Sequence, residues 1–175
     1  MAMRNVLLLA IVAVGFLGCS SPAPLPVVDR IDLQRYAGRW YEWARFDHIF
    51  ERGCDCSVAE YTLEGETVGV TNWCFEDGEW RNTSGTAYPV EGSQNAKLEV
   101  QFFWPFRGDY YILWIDSTYE HVLVGSPSRD YLWVLARSPE TDAAVLDSMK
   151  TVATSLGFDV SRLLPIRCTS QPPTK

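Results

Sequence analysis

The sequence predicts an all-β domain: an eight-stranded antiparallel up-and-down barrel with one C-terminal α-helix packed on its outside. Three observations predict it. Apolar residues recur with period two in segment after segment beyond residue 39, the pattern of half-buried strands. Short turns join these segments, in the order of a meander. Of the 175 residues, 13% are aromatic, a load that suits strands and apolar pockets better than a helical bundle. A chain of this length without a compositional break reads as one domain, large enough for a sizeable core. Closing eight strands on themselves removes exposed edges and encloses a space wide enough for one small ligand.

The first strand is expected at residues 40–46 and the second at 57–63. A Glu64-Gly65-Glu66 turn leads into the third, 68–73, and Asp77-Gly78 is a hairpin signal ahead of the fourth, 80–90. Residues 97–102 alternate with their apolar set on one face, and Arg107-Gly108-Asp109 reads as the turn into the sixth strand, 110–115. Residues 121–124 and 131–136 complete the eight. The rhythm then breaks. Ser138-Pro139-Glu140 reads as a cap with Pro at the first helical position. Ala144, Val145, Met149, Val152 and Leu156 follow at helical spacing, and Gly157 ends the helix. A single apolar stripe means that this helix packs against the sheet. A last short strand is expected at 158–160, before a Pro-rich tail that carries Cys168.

Ahead of the domain, Arg4 precedes an apolar run at residues 6–17. The run is shorter than the roughly 20 residues needed to span a bilayer, so it reads as the core of a signal peptide. It ends at Phe16-Leu17-Gly18-Cys19-Ser20, which resembles a bacterial lipobox, where the chain is cut before the cysteine and that residue is acylated on its thiol and amine. This divides the chain into a signal peptide at 1–18, a lipidated Cys19 with a Pro-rich tether at 19–27, and a domain at 28–175. Pro22, Pro24 and Pro26 stiffen the tether. Ser20, in place of an aspartate, implies the outer membrane, facing the periplasm. The alternative is ordinary cleavage after Ala23, which leaves a soluble periplasmic protein. The formal charge of −7 argues against non-specific nucleic-acid binding and against a basic patch on anionic headgroups.

With Cys19 lipidated, Cys54, Cys56, Cys74 and Cys168 remain, an even number that in an exported chain reads as disulfides. His48 and His121 are the only histidines and neither stands at ligand spacing, so no metal is expected. Cysteines one residue apart on a strand cannot readily bond each other, so Cys54 and Cys56 each need a distant partner.

Three separated motifs are similar to those of the lipocalin family, and more narrowly to bacterial lipocalin lipoproteins of the apolipoprotein D-like branch. They are Gly38-Arg39-Trp40 with Tyr41-Glu42 following, Asp116-Ser117-Thr118-Tyr119, and Arg137 at the end of the last barrel strand. The resemblance runs from residue 28 to about 167. It implies that Trp40 plugs the closed end of a cup-shaped barrel and that Arg137 lies across its indole face. Gly38, Trp40, Asp116, Tyr119 and Arg137 are then structural. It also implies the pairs Cys56–Cys168 and Cys54–Cys74.

Ligand contacts are expected from inward positions, counted in twos from Trp40. These are Ala44 and Phe46 on the first strand, Tyr61 on the second, and Val70 and Asn72 on the third. Leu98, Val100 and Phe102 come from the fifth strand and Trp133 from the eighth. The sixth offers Tyr111 and Leu113, or the opposite set Tyr110, Ile112 and Trp114; Tyr111 is taken. Glu42 points inward by the same count, and the histidines fall on solvated loops. Phe103-Trp104-Pro105-Phe106 reads as a loop near a barrel end, with aromatics exposed to membrane or partner.

The resemblance implies non-covalent storage or transport of a fatty acid or lysophospholipid, without cofactor; homodimers are an option within the family. No Gly-x-Ser-x-Gly elbow is present, and no enzyme is expected. An envelope scaffold with a filled barrel is the alternative reading, with a lipid-modifying enzyme behind it.

Overall fold

The computed structural model describes residues 24–173. The signal peptide, Cys19, Ser20 and Pro22 lie outside them. Eight strands follow a four-residue helix, α1 (Leu33–Tyr36): β1 (Gly38–Phe46), β2 (Cys56–Glu64), β3 (Thr67–Glu76), β4 (Glu79–Pro89), β5 (Lys97–Phe103), β6 (Phe106–Ile115), β7 (His121–Gly125) and β8 (Leu132–Ala136). Each pairs antiparallel with the next, and β1 pairs with both β2 and β8, which closes the barrel. Helix α2 (Ala143–Ser155), a 3-10 turn (Val160–Arg162) and a short strand β9 (Leu163–Pro165) follow.

Strand parity sorts the apolar side chains into three cores. One takes side chains from all eight strands, among them Trp40, Ala59, Val68, Ala87, Leu98, Tyr110, Val122 and Leu135, and is therefore the barrel interior. A second gathers Trp43, Leu123, Val134 and Ala136 with Met149 and Ala153 of α2, on the outer face. The third joins Tyr41, Val58 and Trp73 beneath the C-terminal tail at Cys168.

Three expectations are corrected. Arg107-Gly108-Asp109 is no turn: all three lie in β6, with Gly108 opposite Val100, and the chain reverses at residues 104–105 between the paired Phe103 and Phe106. Helix α2 starts at Ala143, not at Pro139. Asp142 is its N-cap, accepting from the N–H groups of Ala144 and Val145, and the Ser138 region forms a separate turn that receives the Trp43 indole N–H. The last strand is β9 and not residues 158–160. Phe158 packs in the outer core, Asp159 caps the 3-10 turn, and β9 then pairs with β1.

The closed end is tied by one side chain. The Arg137 guanidinium stacks 3.8 Å from the Trp40 ring centroid and donates to the carbonyls of Arg35, Tyr36, Ala37, Arg39 and Tyr119. Gly38 beneath it has φ of +95°, and a Cβ there would stand 3.3 Å from the guanidinium. At the turn between β6 and β7, burial alone would raise the Asp116 carboxyl. Hydrogen bonds from His121, the Glu120 N–H and the Thr118 hydroxyl instead hold it below the usual range. His121 is therefore half-buried against Asp116 and the Trp43 ring, not on a solvated loop. Tyr119 beside it accepts the Asp32 N–H.

The disulfides are Cys54–Cys74 and Cys56–Cys168, the pairs that the resemblance implies. They close segments of 20 and 112 residues, so in the chain-entropy account the tail bridge stabilises more, about 4–5 against about 3 kcal/mol. The Cys56→Ser/Cys168→Ser protein is accordingly expected to unfold at lower urea concentration than Cys54→Ser/Cys74→Ser. Arg137→Lys, which keeps the charge but loses the planar fork, is expected to lose about 2 kcal/mol in the same measurement.

Candidate cup and its mouth

In an up-and-down barrel the β1–β2, β3–β4, β5–β6 and β7–β8 connections share one end. That end is opposite the Trp40 plug and is the mouth. Above the plug, Tyr36 and Tyr61 each hydrogen-bond to the hydroxyl of Tyr110, at 2.6 and 2.8 Å, and burial raises the pKa of all three phenols. Nearer the mouth the inner wall is only partly covered: Asn72, Val100, Phe102 and Trp133 are half-buried, so apolar surface there remains accessible. Gly85 makes room for the close approach of Phe102, since a Cβ on it would stand 2.8 Å from that ring.

Of the expected lining, Tyr61, Val70, Asn72, Leu98, Val100, Phe102 and Trp133 lie on this wall. Ala44, Phe46 and Tyr111 do not. The register of β1 against β8 shifts between Glu42 and Ala44, so Trp43 and Ala44 both face outward and every later residue changes side. Ala44 and Phe46 thus pack in the outer core, and Arg45 turns inward in their place. On β6 the inward set is Tyr110 and Ile112, while Tyr111 belongs to the outer core. A second shift between Ile112 and Trp114 then sends Trp114 outward, and Ile115 faces the interior.

The inward turn of Arg45 builds a polar cluster that counting in twos misses. Its guanidinium donates to Glu42 at 3.0 Å, to the Ser57 hydroxyl, and to the backbone carbonyls of Glu51 and Cys54. These bonds fold the β1–β2 loop back toward the mouth. The Glu51 carboxylate completes the clamp: Oε2 lies 2.8 Å from His48 Nε2, accepts the Trp133 indole N–H at 3.2 Å and is 3.6 Å from Arg45 Nε. His48 is therefore buried, with its ring against Tyr131 and Trp133. Glu42, placed inward by the count, is buried beside it.

The two carboxyls are driven apart. Burial, followed by the nearby Glu51 charge, raises Glu42 well above the carboxylate range, against the opposing pull of Arg45. Burial acts on Glu51 too, but the hydrogen bonds from His48 and Glu42 and the charges of His48 and Arg45 outweigh it and lower its pKa. The cluster ties the β1–β2 loop to β1, β2 and β8 and so works as a loop clamp, with the His48 Nδ1 left buried and without a hydrogen-bond partner. The Asn72 side-chain oxygen is likewise buried with no hydrogen-bond partner, on a residue whose register faces the interior between Ala59 and Thr83.

Stability from Glu51 is present above the ordinary carboxylate value of about 4.3 and is lost as pH falls through its depressed value. That from neutral Glu42 is complete below the ordinary value and is lost as pH rises through its raised one. Glu51→Gln is expected to cost about 2 kcal/mol at neutral pH, by leaving Arg45 poorly compensated. Glu42→Gln is expected to cost little there and to gain on the parent as pH rises above about 5. Urea midpoints across that range read both; equal losses would refute the assignment.

Residues 31–167 match the lipocalin-like domain family. The chain is 42% identical over 170 residues to the outer membrane lipoprotein Blc of Escherichia coli (strain K12), covering 93% of this chain and 96% of that one. It is 37% identical to the protein of the same name from Vibrio cholerae, covering 86% and 91%. It is 35% identical to apolipoprotein D of Macaca fascicularis, covering 83% and 79%. Among solved structures, insecticyanin from the tobacco hornworm Manduca sexta superposes with a TM-score of 0.67 at 19% identity, over 85% of this chain and 86% of that one, a likeness of fold. Closed barrel, plugged floor and sequence kinship agree: the chain belongs to the lipocalin family.

Proposed function

We propose that this lipocalin binds and carries a lipophile, a fatty acid or lysophospholipid, while tethered through a lipidated Cys19 to the periplasmic face of the outer membrane. The observation that carries the reading is the inner wall itself. Every barrel strand contributes apolar side chains to it, and toward the mouth Val100, Phe102 and Trp133 stay partly uncovered. An acyl chain laid on that surface loses its water at about 0.8 kcal/mol per buried CH₂. Its head group stays at the mouth. The tether rests on the Leu17-Gly18-Cys19-Ser20 sequence and on the relatives named outer membrane lipoproteins.

Fluorescence titration and native mass spectrometry with fatty acids and lysophospholipids test the cup. Val100→Trp, which fills the wall, is expected to weaken binding at least tenfold. Phe46→Ala removes an outer-core ring and is expected to cost about 3–5 kcal/mol of stability while leaving affinity unchanged. Absence of saturable binding by any of these amphiphiles would overturn the reading. Labelled palmitate is expected to enter the parent chain and not Cys19→Ser; equal labelling would remove the tether.

A further inference from the structure

The exposed apolar side chains are unevenly spread. Seven large ones are exposed among the described residues, and six belong to the mouth end. Ile49 and Phe50 tip the β1–β2 loop, each 71% exposed. Phe103, Trp104 and Phe106 form the β5–β6 turn, with Trp104 86% exposed. Leu164 lies on β9, which runs along the mouth half of β1, and the seventh, Leu63, sits at the other end of the barrel. Loops from different parts of the chain thus place bare aromatic and aliphatic tips around one opening.

We propose that this rim is a docking surface for an electrically neutral phospholipid bilayer, set so that the cup opens onto lipid. The inference rests on the membrane tether proposed above. Between Cys19 and Pro24, the first described residue, the chain can span at most about 18 Å. The domain is thereby kept within about its own dimensions of a membrane. Protruding Trp and Phe on loop tips are the residue types that settle at a lipid interface. Charge decides against two other occupants. The mouth connections also carry Asp47, Asp55, Asp77 and Asp130 against Arg52, which pairs with Asp47, and Arg129, a balance that stays negative on a chain of net charge −7. Two such rims face to face would set like charges together, and an anionic surface would repel the same carboxylates. A zwitterionic surface does neither. Docked in this way, a lipophile passes between bilayer and cup without crossing open water.

The test uses the full chain as the unacylated Cys19→Ser protein in vesicle flotation. It is expected to float with phosphatidylcholine–phosphatidylethanolamine vesicles, and less well when phosphatidylglycerol is added. Trp104→Ser/Phe106→Ser and Ile49→Ser/Phe50→Ser are each expected to weaken partition at least tenfold at unchanged Tm. Leu63→Ser, on the opposite end, is expected to leave it unchanged. Failure to float would overturn the proposal, as would equal loss with Leu63→Ser or binding that strengthens with anionic lipid. A concentration-dependent dimer that Trp104→Ser/Phe106→Ser abolishes would assign the rim to a second copy instead. Titration with soluble fatty acid reads the cup alone. Flotation without such binding would leave the rim standing and remove the carrier reading.

Discussion

Everything in this molecule depends on β1 pairing with two partners at once. The first strand of the meander must meet the last, and the place where they meet is held by Arg137 lying on Trp40. The guanidinium suits the position because it does two things together. It covers an indole face with a cation, and it feeds the carbonyls of the chain entering β1 and of the turn before β7. Without that closure the sheet would have open edges and no inside.

Closure also makes β1 a strand with no solvent face. Its inner side meets the barrel core, its outer side meets α2 and the tail, and from Trp40 to Phe46 every residue is buried. A strand buried on both sides gains nothing from strict alternation, so a register shift after Glu42 costs little apolar burial. It has a chemical consequence, since it exchanges Phe46 for Arg45 on the inner wall. Arg45 then collects Glu42, Ser57 and two loop carbonyls, and Glu51 follows it in toward Trp133 and His48. The shape of the mouth is thus set by a polar cluster that hangs on a one-residue irregularity in an apolar strand.

The outer surface is arranged with the same economy. The Cys-x-Cys pair sends one bridge to β3 and the other to the tail, pinning the start of β2 from two directions. Buried apolar groups concentrate inside and under the helix, whereas bare ones gather at the mouth. A cup for lipophiles and a rim for lipid are the same physical preference expressed at two depths.

The architecture is legible in the chain alone, because period-two alternation, turn residues and a capped amphipathic segment are local signals that every strand but two displays openly. The chain alone also determined the inner wall wherever one face of a strand meets solvent. Val70 and Asn72, or Leu98 and Val100, alternate with polar neighbours, and their side is legible. The tertiary structure alone decided the side of Ala44, Phe46 and Tyr111. In Trp-Ala-Arg-Phe and Tyr-Tyr-Ile-Leu-Trp both faces are apolar, since the helix and the N-terminal segment cover the outside. Where both faces of a strand are buried no polar residue marks which one is out, and parity is settled only by the register of neighbours distant in sequence.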